Sequence, residues 1–189
     1  MVFGYIIIVL FMLAMSFYLI FRLNHLNDVT DSIMKGDVPA IRAGEKLIDN
    51  LIEQIRNEKK YLITKDSAFL DIFTIKKKTF LEKIESLEAS VTNEEEKTLV
   101  NQIKELYTMY IVMATKEFIL TEYQEIIPRN NSFEEEKEKT IGQLTQSINN
   151  FILNQQTALF KKMELFQTTV QESTKISLII ILFAVIFGM

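Results

Sequence analysis

Charge is absent from both ends of this 189-residue chain and concentrated in its middle. All 21 Lys/Arg and all 25 Asp/Glu residues lie between Arg22 and Lys175. Residues 2–21 are uncharged with 18 of 20 apolar, and residues 176–189 are uncharged with 12 of 14 apolar. This distribution predicts a water-soluble middle between two apolar segments. It excludes a simple soluble protein and a polytopic transporter.

The first apolar segment has the length of a transmembrane helix. Twenty helical residues reach ~30 Å, the thickness of the hydrocarbon layer of a bilayer. A cleaved signal peptide would begin with positive charge and end in small residues, and residues 1–22 show neither feature. We therefore expect an uncleaved transmembrane helix over residues 1–22.

The second apolar segment, residues 176–189, would reach only ~21 Å as a helix. It is interpreted as a second transmembrane helix that is truncated, which makes the chain a fragment of a longer protein; the alternative is a complete short protein with a hydrophobic tail. Loops longer than ~60 residues cross a membrane largely regardless of their charge. Residues 23–175 are accordingly expected to be extracytoplasmic.

Composition removes most enzyme classes. The chain has no cysteine and one histidine, His25, and it contains no glycine-rich phosphate loop. Its net charge of −4 gives no electrostatic reason to expect nucleic acid as a partner. We expect no catalytic, cofactor-binding or metal-binding residue in this segment, and the ligand-binding residues stay unknown.

Apolar residues in the middle recur with helical spacing, and glycine and proline are scarce there. The pattern predicts four helices, over residues 23–63, 66–91, 93–127 and 133–175. Capping boxes at Thr92-x-x-Glu95 and Ser132-x-x-Glu135 are expected to begin the last two. The heptad positions expected to be buried are, helix by helix, Ile41, Ile48, Ile55 and Leu62; Phe73, Phe80 and Leu87; Leu99, Leu106, Met113, Leu120 and Ile127; and Leu144, Ile148, Phe151 and Leu165.

Helix lengths then predict an all-α, antiparallel up-down four-helix bundle over residues 39–159. Helices 1 and 4 continue below it as a two-helix stalk, residues 23–38 and 160–175, into the transmembrane helices. The stalk seam is expected to join Leu26, Val29 and Ile33 to Met163, Phe166 and Val170. The third predicted helix is nine residues longer than the second, and the sequence does not say whether it overshoots or breaks.

Two places stand out as candidate functional positions. Gly36 and Pro39 could form a signal hinge between stalk and bundle, although Pro39 also suits the first turn of a helix capped by Asp37. Tyr107, Tyr110 and Met113 lie in a stretch that is apolar nearly all round, which suggests a subunit interface or a small-ligand pocket. The alternative for that stretch is an ordinary buried helix. Glu117 on the same helix could be a buried polar residue that fixes register, or the helix could have turned.

Residues 37–73 resemble the extracytoplasmic sensory region of bacterial two-component sensor histidine kinases that contain a HAMP domain. The resemblance lies in Asp37-x-Pro39-Ala40, Glu58-Lys-Lys-Tyr61-Leu62, Lys65-Asp66 and Phe69-Leu70. It implies a homodimer in the bacterial cytoplasmic (inner) membrane that responds to a small ligand or an envelope partner. A HAMP domain, a phosphoacceptor helix and a kinase domain using ATP and Mg²⁺ would follow residue 189 and act on a cognate response regulator.

This resemblance sets the expected function and its rivals. The leading expectation is a sensory region in which one bundle packing is favoured by a stimulus and passed through the stalk to the membrane helices. A methyl-accepting chemotaxis receptor has the same architecture and differs only in the sequence downstream. A complete helical membrane scaffold protein is a third alternative. The stimulus and the oligomeric state do not follow from this sequence.

Overall fold

A computed structural model of the chain describes residues 2–91, 93–122 and 131–188, with side chains placed for 9–91, 93–122 and 132–183. These residues are all-helical and contain no β-strand. Helices α1 (Val2–Ser32) and α2 (Val38–Thr64) are joined by a π-helical turn, Ile33–Asp37, into one unbroken helical segment. The other helices are α3 (Ser67–Ser90), α4 (Glu94–Glu122) and α5 (Asn131–Gly188).

The turn between α2 and α3 follows from local chemistry. Lys65 takes a left-handed backbone conformation with φ of 59°, and its amide donates to the Tyr61 carbonyl at 2.8 Å. A left-handed residue at this position is a common way to end a helix. The Asp66 carboxylate then accepts from the Ala68 amide at 2.9 Å and caps α3. The break expected between the first two predicted helices is therefore confirmed.

The last two helices begin differently from expectation. Asn93 caps α4, since its side-chain oxygen accepts from the Glu95 amide at 3.0 Å. Helix α5 begins at Asn131, so Ser132 lies inside the helix and the capping box expected there is wrong. Thr92 and the end of the third predicted helix at 127 lie outside the described residues.

The π-helical turn lies at the candidate hinge. In it the Val38 amide donates to the Ile33 carbonyl, five residues back instead of four. Pro39 follows directly and has no amide hydrogen, and its ring excludes the regular contact with the carbonyl four residues earlier. Extra π-helical residues are one recognised way for a helix to accommodate such an interruption. Asp37 is helical and does not cap a new helix, so that alternative is wrong.

The chain forms two compact units, which are described separately. The core unit is Pro39–Gln156. Helices α2, α3, α4 and α5 all contribute to its hydrophobic core. The largest fully buried side chains of that core are Leu47 and Leu51; Phe80 and Ile84; Ile103, Tyr107 and Tyr110; and Leu144, Ile148 and Phe151.

The terminal unit comprises the residues up to Val38 and those from Thr157 onward. Leu26 and Val29 of α1 and Ile33 of the π-helical turn are half-buried, as is Phe166 of α5. Two members of the expected stalk seam are instead exposed, Met163 at 44% and Val170 at 38%. Their neighbours Lys162 and Thr169 are half-buried in their place.

One helix of the described residues, Val9–Thr64, is long and apolar enough to cross a membrane by length and composition. Its apolar window has a mean hydropathy of 1.6, and none of that window is buried in the chain. Large apolar side chains there are openly exposed, among them Phe17 at 76% and Phe21 at 68%. An apolar surface this extensive needs a covering.

At Gly44, α2 packs closely against α5. A Cβ atom built on Gly44 would lie 2.6 Å from Cγ1 of Ile152 and 3.5 Å from the Phe151 ring. Isoleucine is stiff at χ1 in a helix, so its Cγ1 does not move away easily. Only glycine allows the two helices to lie this close.

Replacing this glycine should destabilise the core unit. Gly44→Ala gains about 1 kcal/mol of helix propensity, but overpacking costs about 1–3 kcal/mol, so we expect a net loss of about 1 kcal/mol. Gly142→Ala on α5 is the matched control, because a Cβ atom there meets nothing within 4 Å. The control should gain about 0.5–1 kcal/mol. Equilibrium unfolding of the detergent-solubilised chain, followed by circular dichroism, measures both; equal effects of the two variants would refute the close approach.

Candidate functional site

The core unit contains ionisable groups where an ordinary helical core would hold only apolar ones. Glu58 of α2 has a side chain that is 1% exposed, and Lys137 of α5 one that is 7% exposed. Glu117 of α4 is 12% exposed. Buried charges are rare in proteins unless they are paired, because removal from water is costly.

These three side chains form a charged triad around one ammonium group. Lys137 Nζ lies 2.8 Å from Glu58 Oε1 and 2.5 Å from Glu117 Oε2. The Tyr110 hydroxyl donates to the other Glu58 oxygen, Oε2, at 2.6 Å. Three helices, α2, α4 and α5, are thereby joined at one point by charge-assisted hydrogen bonds, which are the stronger kind.

The electrostatics of the triad follow from its stoichiometry of two carboxylates and one ammonium. Burial raises the pKa of Glu117, and the neighbouring Glu58 charge adds to this against the opposing effect of the Lys137 ammonium. For Lys137, burial alone would lower the pKa, but the charges and hydrogen bonds of the two glutamates outweigh it and leave the pKa raised. Burial, followed by the Glu58 charge, raises the pKa of Tyr110. At neutral pH the ammonium and the phenol therefore keep their protons.

A second polar layer lies beside the triad. The Tyr107 hydroxyl donates to Gln54 Oε1 at 3.0 Å, and Gln54 Nε2 donates to the Phe73 carbonyl at 3.4 Å. The Tyr107 ring stacks on Phe80 with centroids 3.8 Å apart. Asn50 Oδ1 is buried and has no hydrogen-bond partner within the described part of the chain.

The candidate residues of the apolar stretch are distributed between core and flank. Tyr107 and Tyr110 are 1% and 0% exposed, so their rings face the core, and Met113 is half-buried. A surface groove of about 400 Å³ lies nearby between α4 and α5. Its lining consists of Gln102, Glu105, Leu106, Met109, Gln143, Gln146, Ser147 and Asn150, and includes none of those three residues.

The candidate hinge lies beside an ion pair of the terminal unit. Lys162 Nζ contacts both Asp37 carboxylate oxygens, at 2.9 and 2.7 Å, and also the Ser32 hydroxyl at 2.9 Å. Asp37 is buried, whereas Gly36 and Pro39 are exposed. The π-helical turn therefore ends on a buried carboxylate that is bound by the other helix of the unit.

Sequence reasoning missed the main polar contacts of both units. Glu58 was noticed only through the family resemblance, and Lys137 and Lys162 were not singled out at all. Glu58 lies three residues before Tyr61 and therefore on the same face of α2. A search for charged residues that share a helix face with apolar residues would have found it. Glu117 is singled out in the sequence as a possible buried polar residue; it is half-buried, with a side chain 12% exposed, and pairs with Lys137.

Neither metal chemistry nor a known relative offers a further guide to function. Among the described residues, no group of three or more acidic or histidine side chains is placed to hold a metal ion. The chain matches no protein-family model, no curated protein and no solved structure. Function has to be inferred from the architecture and the triad.

Removing the shared ammonium should unfold the core unit far more readily than removing a surface lysine. Lys137→Met leaves two buried carboxylates unpaired, at a cost of about 3–5 kcal/mol. Lys104→Met is the matched control, since its 2.7 Å pair with Glu88 is 46% and 44% exposed and is therefore screened by solvent. Chemical unfolding in detergent compares the two variants.

A rescue separates charge from packing. Adding Glu58→Gln and Glu117→Gln to Lys137→Met removes the unpaired charges and should recover most of the lost stability. If Lys137→Met costs no more than Lys104→Met, the triad does not exist in the folded chain.

Proposed function

We propose that this chain is the sensory and transmembrane region of a bacterial membrane receptor, of the kind found in two-component sensor histidine kinases. The core unit is the sensor and is extracytoplasmic. The terminal unit holds the stalk and the membrane helices, and the receptor works as a homodimer. Phosphotransfer belongs to segments outside these 189 residues, and this segment performs no chemistry of its own.

The sensor is proposed to be an antiparallel up-down four-helix bundle. Residue pairs in the core unit support this arrangement. On α2 and α5 the numbering runs in opposite directions, because Gly44 lies beside Ile152 while Glu58 pairs with Lys137. Short connections, such as residues 65–66 between α2 and α3, are typical of neighbours that run antiparallel.

The same opposition supports the antiparallel pairing of α3 with α4. The Phe73 ring is 4.9 Å from Phe118, and Glu88 pairs with Lys104. Residue numbers that increase along α3 therefore lie opposite residue numbers that decrease along α4.

One observation carries the sensory role: two helical segments enter both units without a break. Helix α5 runs for 58 residues from Asn131 to Gly188, and the segment formed by α1, the π turn and α2 runs from residue 2 to residue 64. A change of packing in the core unit can thus reach the apolar ends through continuous backbone. Shifts of about 1–2 Å along such helices are a common signalling movement.

The free energy that couples a stimulus to an output is of a size that these contacts can supply. Coupling between a stimulus and an output is typically worth about 1–3 kcal/mol. The triad and the Asp37–Lys162 pair are each contacts that one packing makes and another breaks. A stimulus that favours one packing over the other by this amount would bias an attached kinase severalfold.

The membrane orientation can be measured cleanly, because the chain contains no cysteine. A single cysteine at Lys78→Cys, where the side chain is 80% exposed, should react with a membrane-impermeant maleimide in intact spheroplasts. A cysteine in a soluble domain fused after Met189 is the control and should react only after lysis. Protection of the Lys78→Cys site until lysis would contradict the proposed extracytoplasmic position.

Signal output can be tested by joining residues 1–189 to the end of the second membrane helix and the HAMP and kinase segments of a well-characterised receptor. Asp37→Asn removes the carboxylate charge bound by Lys162 and should shift autophosphorylation in membrane vesicles severalfold. Asp31→Asn is the matched control on α1, because its pair with Lys35 is exposed, at 64% and 75%, and should leave output unchanged. If both variants give the same autophosphorylation as the parent fusion, the stalk does not carry the signal.

A further inference from the structure

The triad carries an unbalanced charge inside the core unit. Glu58 and Glu117 contribute two negative charges, and Lys137 supplies one positive charge, so the formal sum is −1 with all three ionised. A buried net charge is costly, and the usual relief in proteins is for one group to change its protonation state. Two carboxylates that share a site therefore tend to hold a proton between them at a higher pH than isolated ones.

Geometry singles out Glu117 as the group that takes this proton. Both oxygens of Glu58 already accept a hydrogen bond, one from Lys137 and one from Tyr110. Glu117 Oε2 accepts from Lys137, and the Glu117 carboxyl group also lies within hydrogen-bonding reach of the Glu58 carboxylate, a contact that favours its protonated form. Its side chain is also 12% exposed against 1% for Glu58, so water reaches it more readily.

The surroundings add little opposing charge. From α2 the triad faces Glu58, from α4 it faces Glu117 and the Tyr110 phenol, and from α5 it faces Lys137. Helix α3 contributes the Phe73 ring, 6.5 Å from Tyr110, and its Lys76 is paired with Glu53.

We propose that the triad is a proton-operated clamp that makes the sensor responsive to acid. On acidification Glu117 takes one proton from water and becomes a neutral carboxylic acid, and the Lys137 ammonium stays with Glu58 alone. The ionic bridge between α4 and α5 is then lost, while the bridge between α2 and α5 remains. The biological output of this clamp rests on the proposed sensory function, but the proton uptake does not.

The direction of the effect follows from linkage. The pKa of Glu117 is raised in the folded chain, so the folded state binds this proton at a higher pH than the unfolded state does. The stability that this group contributes is present in full below its ordinary pKa and is lost as pH rises through the raised one. The acid form is therefore a folded state with a rearranged clamp and not the start of acid unfolding.

Infrared difference spectroscopy on the full chain in lipid nanodiscs tests proton uptake directly. As the pH is lowered from neutral toward the ordinary pKa of a glutamate, the chain should gain a carbonyl band from a half-buried carboxylic acid. Glu117→Gln should lose this band, and Glu105→Gln, an exposed position on the same helix, should keep it. Absence of the band in the unaltered chain, or its persistence in Glu117→Gln, would overturn the proposal.

A second variant guards against a misfolded Glu117→Gln chain. Glu58→Gln leaves one carboxylate for one ammonium, so the midpoint of the Glu117 band should move to lower pH. A midpoint that stays in place would show that the two carboxylates do not share the site, and the clamp would be refuted.

The mechanical consequence is measured by amide hydrogen exchange, corrected for the intrinsic effect of pH. Local opening returns Glu117 to its ordinary pKa, so the proton favours the closed form. Exchange in residues 111–122 and 132–140 should therefore slow on acidification of the unaltered chain, and Glu117→Gln should show the slower rate both at neutral pH and in acid. Equal protection throughout would refute an effect of this proton on the packing of α4 and α5. In the kinase fusion, a band without any acid response in output would count against the sensory function and leave the clamp intact.

Discussion

A single ammonium group shared by two carboxylates is the interaction on which the rest of the core unit depends. Lys137 lies in apolar surroundings where each unpaired charge would cost several kcal/mol, so Glu58 and Glu117 can be buried only while Lys137 stays between them. This requirement fixes the relative positions of three helices at one level. Apolar side chains alone allow helices to slide and repack, whereas a buried polar contact is satisfied in one register only.

Close packing at the other end of the same helix pair completes the constraint. Gly44 brings α2 against Ile152 of α5 at a distance that no other residue permits. The α2–α5 pair is thus held by steric fit at one level and by the ion pair of Glu58 and Lys137 fourteen residues along α2. Loosening the charged contact leaves the steric one in place, which is the arrangement required for a local change of packing without unfolding.

Apolar periodicity in the sequence correctly predicts that the chain is helical and how many helices its middle contains. It predicts the buried face of a helix only at positions where that face is apolar. Phe73, Phe80 and Leu87 of α3 are buried as expected. On α5 the expected seam holds as far as Phe151, and Leu165 is wrong because it is 59% exposed in the terminal unit. These apolar positions follow the pattern because the hydrophobic effect drives their burial.

On α2 and α4 the buried face lies beside the predicted heptad. The expected isoleucines of α2, Ile48 and Ile55 among them, are half-buried at its flank. Its buried face instead carries Leu47, Leu51, Gln54, Glu58 and Tyr61. The polar members of that face can be buried because side chains of α4 and α5 meet their hydrogen-bonding groups, and those helices are distant in sequence.

Partners of this kind also explain why the candidate site was only partly foreseen. Tyr110 and Glu117 were noticed because they lie in or beside an apolar run, but Lys137 follows a run of glutamates and has the sequence context of a solvated surface residue. The same holds for Lys162, whose partner Asp37 lies 125 residues away. Local patterns record which residues share a helix face, whereas the pairing of buried charges depends on which faces meet. Local patterns in a single sequence do not show which helix faces meet. In this chain, the way those faces meet determines which charged residues are buried.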